Sequence, residues 1–152
     1  MITRPIGNIL TISLLAAIIF MYSAQSVARD DRIRISIKDS MNIEAAKTKL
    51  NAGIKFYFGE QKHGKVSKDY GEFSSNKKTN GFNKSDTQAC SWAFLSAMLS
   101  LQSRALREGG NAVINIKSNY KNQVFSSESE YECGAGTFLV GVALQGRVVK
   151  LK

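Results

Sequence analysis

The segment from Ser85 to Gly110 constrains this chain more than any other, because it reads as one long helix that must be covered on more than one side. Ser85-Asp86-Thr87-Gln88 has the spacing of a capping box, in which the serine oxygen accepts a free backbone amide and the residue three positions on reaches back. Gly109-Gly110 supplies the stop, since glycine takes the left-handed conformation that closes a helix at little steric cost. On a wheel advancing about 100° per residue, Ser96, Ser100, Ser103 and Arg107 form one narrow polar stripe. Cys90, Phe94, Ala97, Leu101 and Ala105 lie to one side of it, and Trp92, Leu95, Leu99 and Leu106 to the other. So wide an apolar arc predicts the centre of a small core, packed on a sheet and covered again by further chain. Gln102 falls inside the arc. A buried amide needs partners, so it is expected to pair with backbone at a sheet edge, with a nearby pocket as the alternative.

Strand signals surround this helix. Ile33, Ile35 and Ile37 alternate with Arg32, Arg34, Ser36 and Lys38, the period of a half-buried strand. Asp39 or Ser40 is the N-cap expected for a shorter helix that ends at Gly53, and Ile54 to Phe58 reads as a second strand. Residues 59–86 show no sustained period and carry Lys62, Lys65, Lys68, Lys77, Lys78 and Lys84. They read as a long basic loop with room for a short hairpin, kept from full disorder by Tyr70, Phe73 and Phe82. Ala112 to Tyr120 is rich in β-branched residues, and Lys121-Asn122-Gln123 suits a turn. Ser127 to Ala135 alternates, with Glu128, Glu130 and Glu132 one way and Tyr131, Cys133 and Ala135 the other. Phe138 to Leu151 completes the set, with Gly141 and Gly146 as bulge or bend points. The expected fold is α+β: an antiparallel sheet of about five strands packed on one long helix, with a second shorter helix and the last three strands in a meander.

The chain has two cysteines. Cys90 lies on an apolar side of the long helix and Cys133 on the inward face of a strand, so packing the two elements together brings the sulfurs within reach of one disulfide. An even count without metal-ligand spacing reads the same way in an oxidising compartment. Free or redox-active thiols are the alternative, although no C-x-x-C pattern is present to lower either pKa.

Arg4, the apolar run from Ile9 to Met21, and Ser26-Val27-Ala28 ahead of Arg29-Asp30-Asp31 read as a signal peptide cleaved after residue 28. The uninterrupted apolar core is shorter than the roughly 20 residues of a spanning helix, which leaves an uncleaved anchor as the alternative. The expectation is a single domain over residues 29–152, periplasmic or secreted from a Gram-negative bacterium, with no stable transmembrane segment after cleavage. Lys and Arg number 21 against 12 Asp and Glu, a net charge of +9 from which the leader would remove only Arg4. Such a surplus favours anionic partners, namely lipid headgroups, lipopolysaccharide phosphates, acidic glycans or nucleic acid, or serves solubility alone.

Phe58-Gly59-Glu60-Gln61, Asn76-Lys77-Lys78-Thr79-Asn80, Ser85-Asp86, Ala89-Cys90-Ser91-Trp92-Ala93-Phe94, Gly109-Gly110-Asn111-Ala112-Val113 and Glu130-Tyr131-Glu132-Cys133 are spread over most of residues 29–152. Together they resemble a small secreted proteobacterial family whose members often carry the name "excinuclease ATPase subunit". The resemblance implies export and supplies no mechanism. The residues argue against the ATPase name, because phosphate wrapping needs G-x-x-x-x-G-K-[ST] and no such segment occurs. The passage from Ala105 to Val113 is also similar to small envelope domains such as the Rcs stress-sensor lipoprotein, whose lipid-bearing cysteine and extra disulfide have no counterpart here.

No cofactor or metal is expected: two Cys and one His cannot supply the four paired ligands of a zinc module. Lys77 and Lys78, with Lys84 just before the helix start at Ser85, make the favoured anion-binding or partner-binding candidate, because free amides and the helix dipole attract negative charge there. Phe82 is placed to stack on a sugar or base, and His63 completes the candidate set. A solvated lysine loop is the plainer reading. Glu130 and Glu132 with His63 form the alternative, a small envelope hydrolase, since alternate residues on a strand stand roughly 6.5 to 7 Å apart, within the range of inverting carboxylate pairs. The functional expectation is a non-enzymatic binding or adaptor module of the bacterial envelope, taking an anionic envelope component or another envelope protein. Non-specific binding of nucleic acid or other polyanions stands third.

Overall fold

The computed structural model describes residues 29–152, so the leader expected over residues 1–28 lies outside the described residues. The chain runs β1 (Asp30–Ser36), α1 (Ile37–Asn42), α2 (Glu44–Lys49), β2 (Lys55–Phe58), β3 (Val66–Asn80), α3 (Asp86–Glu108), β4 (Ala112–Tyr120), β5 (Gln123–Phe125), β6 (Glu130–Gly136) and β7 (Leu139–Leu151). The class is α+β, with one long helix on a curled sheet. Among the described residues no helix is long and apolar enough to cross a membrane.

β7 is the axis of the sheet. One edge of it bonds to β3 along its whole length, from Leu151 opposite Val66 to Leu139 opposite Asn80. Its other edge is shared: the C-terminal half takes β4, and the N-terminal end takes β6 at Gly141 opposite Gly134. The sheet therefore splits into two branches, β4 carrying β2 and β5, and β6 carrying β1. The last strand lies between β4 and β6, so the expected meander is replaced by a split sheet. Ser118 ties the branches together, its Oγ accepting the Glu132 amide at 2.8 Å. β2 runs parallel to β4 and every other pairing is antiparallel.

The basic segment expected to be a loop is mostly strand. β3 contributes 15 residues, and this is the main reason the sheet has seven strands. Its period is broken between Asp69 and Gly71, where Tyr70 is an extra residue, and Gly71 adopts φ 99°, which favours a residue without Cβ. The bulge is stapled by Asp69, whose carboxylate accepts the Gly71 amide at 2.8 Å and Arg147 Nη1 at 2.7 Å. These bonds, the Gly71 amide first, hold the Asp69 carboxyl below its ordinary value.

Helix α3 has the termini its sequence demands: Ser85 Oγ accepts the Gln88 amide at 3.2 Å, and Gly109 closes the helix at φ 79°. Its buried face, including Phe94, Met98 and Leu101, packs on β3 and β7 among Val113, Ile116, Val142, Leu144 and Val148. Phe94 stacks between Tyr131 at 4.3 Å and Phe58 at 6.0 Å. The expected Cys90–Cys133 disulfide is present, with a Cα–Cα distance of 6.0 Å and both residues fully buried. It joins α3 to β6, so the link crosses the core.

The shorter helix is in fact two helices of six residues, because Ile43 is extended at ψ 144° between them; the N-cap is Ser36. Gln102 pairs with backbone as expected, although with the end of α2 and not a sheet edge: Oε1 accepts the Asn51 amide at 2.6 Å and Nε2 donates to the Lys49 carbonyl at 3.4 Å. Gly146 is not a bend. It lies under Val113, whose Cγ1 would be 2.8 Å from a Cβ at this position, and the irregularity sits across from it in β4, where Asn115 has φ 51°.

Candidate functional site

Lys77 and Lys78 are neighbours in sequence but not in space. They are consecutive residues of β3, opposite Val142 and Gly141, and the pleat sends consecutive side chains to opposite faces. Val142 belongs to the core beneath α3, so Lys78 points to the other face of the sheet, where Gly141 leaves room. There Lys78 and Asn76 join Arg29, Tyr120 and Lys121 around a groove of about 360 Å³. Gly134, Gly136 and Gly141 line its base.

The wall opposite Lys78 is an engaged polar cluster. Tyr120 hydroxyl donates to Asp30 Oδ1 at 3.0 Å, and the Lys121 ammonium binds the other oxygen of Asp30. The Lys121 contact first, then the tyrosine, holds the Asp30 carboxyl below its usual range, and the same carboxylate raises the Lys121 pKa. Burial, then Asp30, pushes the Tyr120 phenol up. Arg29 is held by Asp86 and Asp31. Lys121 reaches this place because it forms the β4–β5 turn with Asn122, the two having φ 51° and 60°, as the turn residues implied. Lys77, Lys78 and Lys84 have no carboxylate partner among the described residues.

The α3 N-terminus is not an open anion site. Ser85 occupies a free amide, and Asp86 in the first turn engages Arg29. Lys84 donates instead to the Asn80 carbonyl at 3.2 Å. Phe82 stacks on Phe138 at a centroid distance of 6.3 Å, and the two are 57% and 64% exposed. His63 lies near the other end of β3, since Gly64 approaches Lys152 while Phe82 neighbours Phe138. A strand of that length spans on the order of 45 Å.

Neither Glu130 nor Glu132 is a hydrogen-bond or ion-pair partner of His63 among the described residues. His63 Nδ1 is 2.9 Å from the Gly64 carbonyl, and its ring meets Tyr57 edge-on at 5.7 Å. Glu130 is exposed at the start of β6. Glu132, expected to point away from Tyr131 and Cys133, is nonetheless buried beneath Arg32, with Oε2 3.8 Å from Nη1. Lys117 and Arg147, on the neighbouring strands β4 and β7, pair with Glu60 and Asp69 and not with the row. Among the described residues no group of His, Cys, Asp and Glu could hold a metal ion.

A second groove, about 500 Å³, separates α1 and α2 from the start of α3 and carries Asp39, Glu44 and the part-exposed Trp92. At its base Ser91 and Ser40 share a bond of 3.0 Å, and Ser40 bonds Tyr131 at 2.9 Å. Its carboxylates do not suit an anion.

Arg29, Asn76, Tyr120 and Lys121 were not indicated by sequence, since their three separate segments meet only through the sheet. The glycines of β6 and β7 were the available trace: Gly134, Gly136 and Gly141 interrupt otherwise apolar strands. Comparison with protein-family models, with curated proteins and with solved structures finds no match.

Proposed function

We propose that this protein is a non-enzymatic binding module of the bacterial envelope, periplasmic or secreted, which takes an anionic group of an envelope component in the groove between Lys78 and Lys121. The observation that carries the reading is Lys78: a cation without a carboxylate partner among the described residues, facing a polar wall across a base that includes three glycines. The carboxylates around it already engage Arg29 and Lys121, so they do not neutralise it. A buried disulfide fits an oxidising compartment, where such bonds persist.

The test is a chemical-shift titration with inorganic phosphate and, separately, with a heparin oligosaccharide as acidic glycan, at two salt concentrations. Amides of Gly134 and Gly141 are expected to move, and raising salt is expected to weaken the effect. Lys78→Glu abolishes the response, while Lys77→Glu, on the opposite face, leaves the groove shifts in place. Equal loss in the two variants, or no response in the unmodified protein, would refute this assignment of the site.

A further inference from the structure

We infer that the end of the sheet bearing Phe82, Phe138 and Leu139 docks on the surface of an anionic phospholipid bilayer. The inference rests on the groove reading above and names its partner class. Phe82, Phe138 and Leu139 are 57%, 64% and 59% exposed, and they meet where the chain leaves β3 and enters β7: the Gly81 amide donates to the Phe138 carbonyl at 2.9 Å, and Asn80 pairs with Leu139. Isolated exposed apolar residues are ordinary on a protein surface. Three large ones gathered at one end of the sheet, two of them stacked, form a patch.

Cations surround the patch. Lys84 Nζ bonds the Asn80 carbonyl at 3.2 Å, and Lys77 and Lys78 stand three and two residues before Asn80. None of the three has a carboxylate partner among the described residues, whereas nearby Asp30, Asp31 and Asp86 are engaged by Lys121 and Arg29. Aromatic and aliphatic side chains at the headgroup boundary, ringed by lysines, are the chemistry of a peripheral membrane contact. Its size points the same way: three side chains cover a few hundred Å², well short of the roughly 800 Å² that each partner buries in a stable protein interface. Leu139 lines the groove as well as the patch, so a headgroup phosphate beside the inserted side chains is within reach of Lys78.

The experiment is co-sedimentation of the protein recovered from its native compartment with vesicles of phosphatidylglycerol, and of phosphatidylcholine as the neutral control. Binding to phosphatidylglycerol alone is expected. Phe82→Ser with Phe138→Ser should weaken it at least tenfold, and Lys77→Glu with Lys84→Glu by about tenfold. Circular dichroism verifies the fold, which these exposed positions leave intact. Equal sedimentation with both lipids, or binding unchanged by the phenylalanine pair, overturns the inference. Failure to sediment while Gly134 and Gly141 still respond to phosphate overturns bilayer docking and leaves the groove reading standing; failure in both assays removes both.

Discussion

The Tyr120 ring occupies the space that a side chain at Gly134 would need. A Cβ built there falls 2.0 Å from both Cζ and Oη of Tyr120, well inside any tolerable contact. Gly134→Ala is therefore expected to swing Tyr120 off Asp30 and loosen the groove wall. Overpacking of this kind costs typically 1 to 3 kcal/mol, so about 2 kcal/mol is expected in urea denaturation. The tyrosine hydroxyl signal should report loss of the Asp30 bond; an unchanged signal would show that the ring does not depend on the glycine.

Removing the disulfide tests how far the core depends on it. The bridge closes a sequence separation of 43 residues, worth roughly 4 kcal/mol on the chain-entropy account. Cys90→Ala with Cys133→Ala should lower unfolding free energy by about that amount, with the groove residues still in place whenever the protein is folded. A loss under about 1 kcal/mol would mean that packing of Phe94 between Phe58 and Tyr131 holds α3 to β6 without help.

Gln102 anchors the end of α2 to α3 through backbone bonds at Asn51 and Lys49. Gln102→Leu leaves the Asn51 amide without that acceptor, at an expected cost of about 1 to 3 kcal/mol. Hydrogen exchange at Asn51 should accelerate ahead of exchange in α3. Simultaneous acceleration in both would place the amide in the global unfolding unit instead.

Tyr131 predicts instability at alkaline pH. Burial raises its pKa from 10.0 to about 12, only partly opposed by its bonds to Ser40 and Ser91. The folded state holds the phenol proton more tightly than the unfolded chain, so this contribution is complete below pH 10 and is lost as pH rises toward 12. At pH 11 the loss is about 1.4 kcal/mol. Comparing urea denaturation at pH 9 and pH 11, the decline should be smaller by that amount in Tyr131→Phe. Parallel declines in both proteins would assign alkaline sensitivity to other groups.

Sequence made the long helix legible because both ends and the whole apolar arc are local: Ser85, Gly109 and the residues between need no partner to be recognised. The disulfide followed from two periodicities that agreed, those of Cys90 in α3 and Cys133 in β6. β3 was hidden for a physical reason. Its surroundings ask little hydrophobicity of it: Tyr70 and Phe73 pack partly on the core, Ser75 is buried among residues supplied by β7 and α3, and the extra residue at Tyr70 disrupts the alternation. Lys77 and Lys78 looked like one basic unit only while that segment was taken for a loop. The burial of Glu132 was hidden because alternation separates the faces of a strand without revealing that Arg32 and the adjoining branch cover the outer one. Beyond its glycines the groove left no trace in the sequence, since Arg29, Lys78 and Lys121 are brought around it only after β6 and β4 share one edge of β7.

The same polarity that concealed β3 has a use once the strand is formed. β3 pairs only with β7 among the described residues, so its far side is an outer edge where another chain could add by hydrogen bonding. Lys68, Lys77 and Lys78 make a matching approach by a second copy repulsive, and the kink at Gly71 spoils the flat line that such stacking requires. The protein is thereby equipped to stay dispersed when crowded, at its longest border, where the fold would otherwise invite fibre growth.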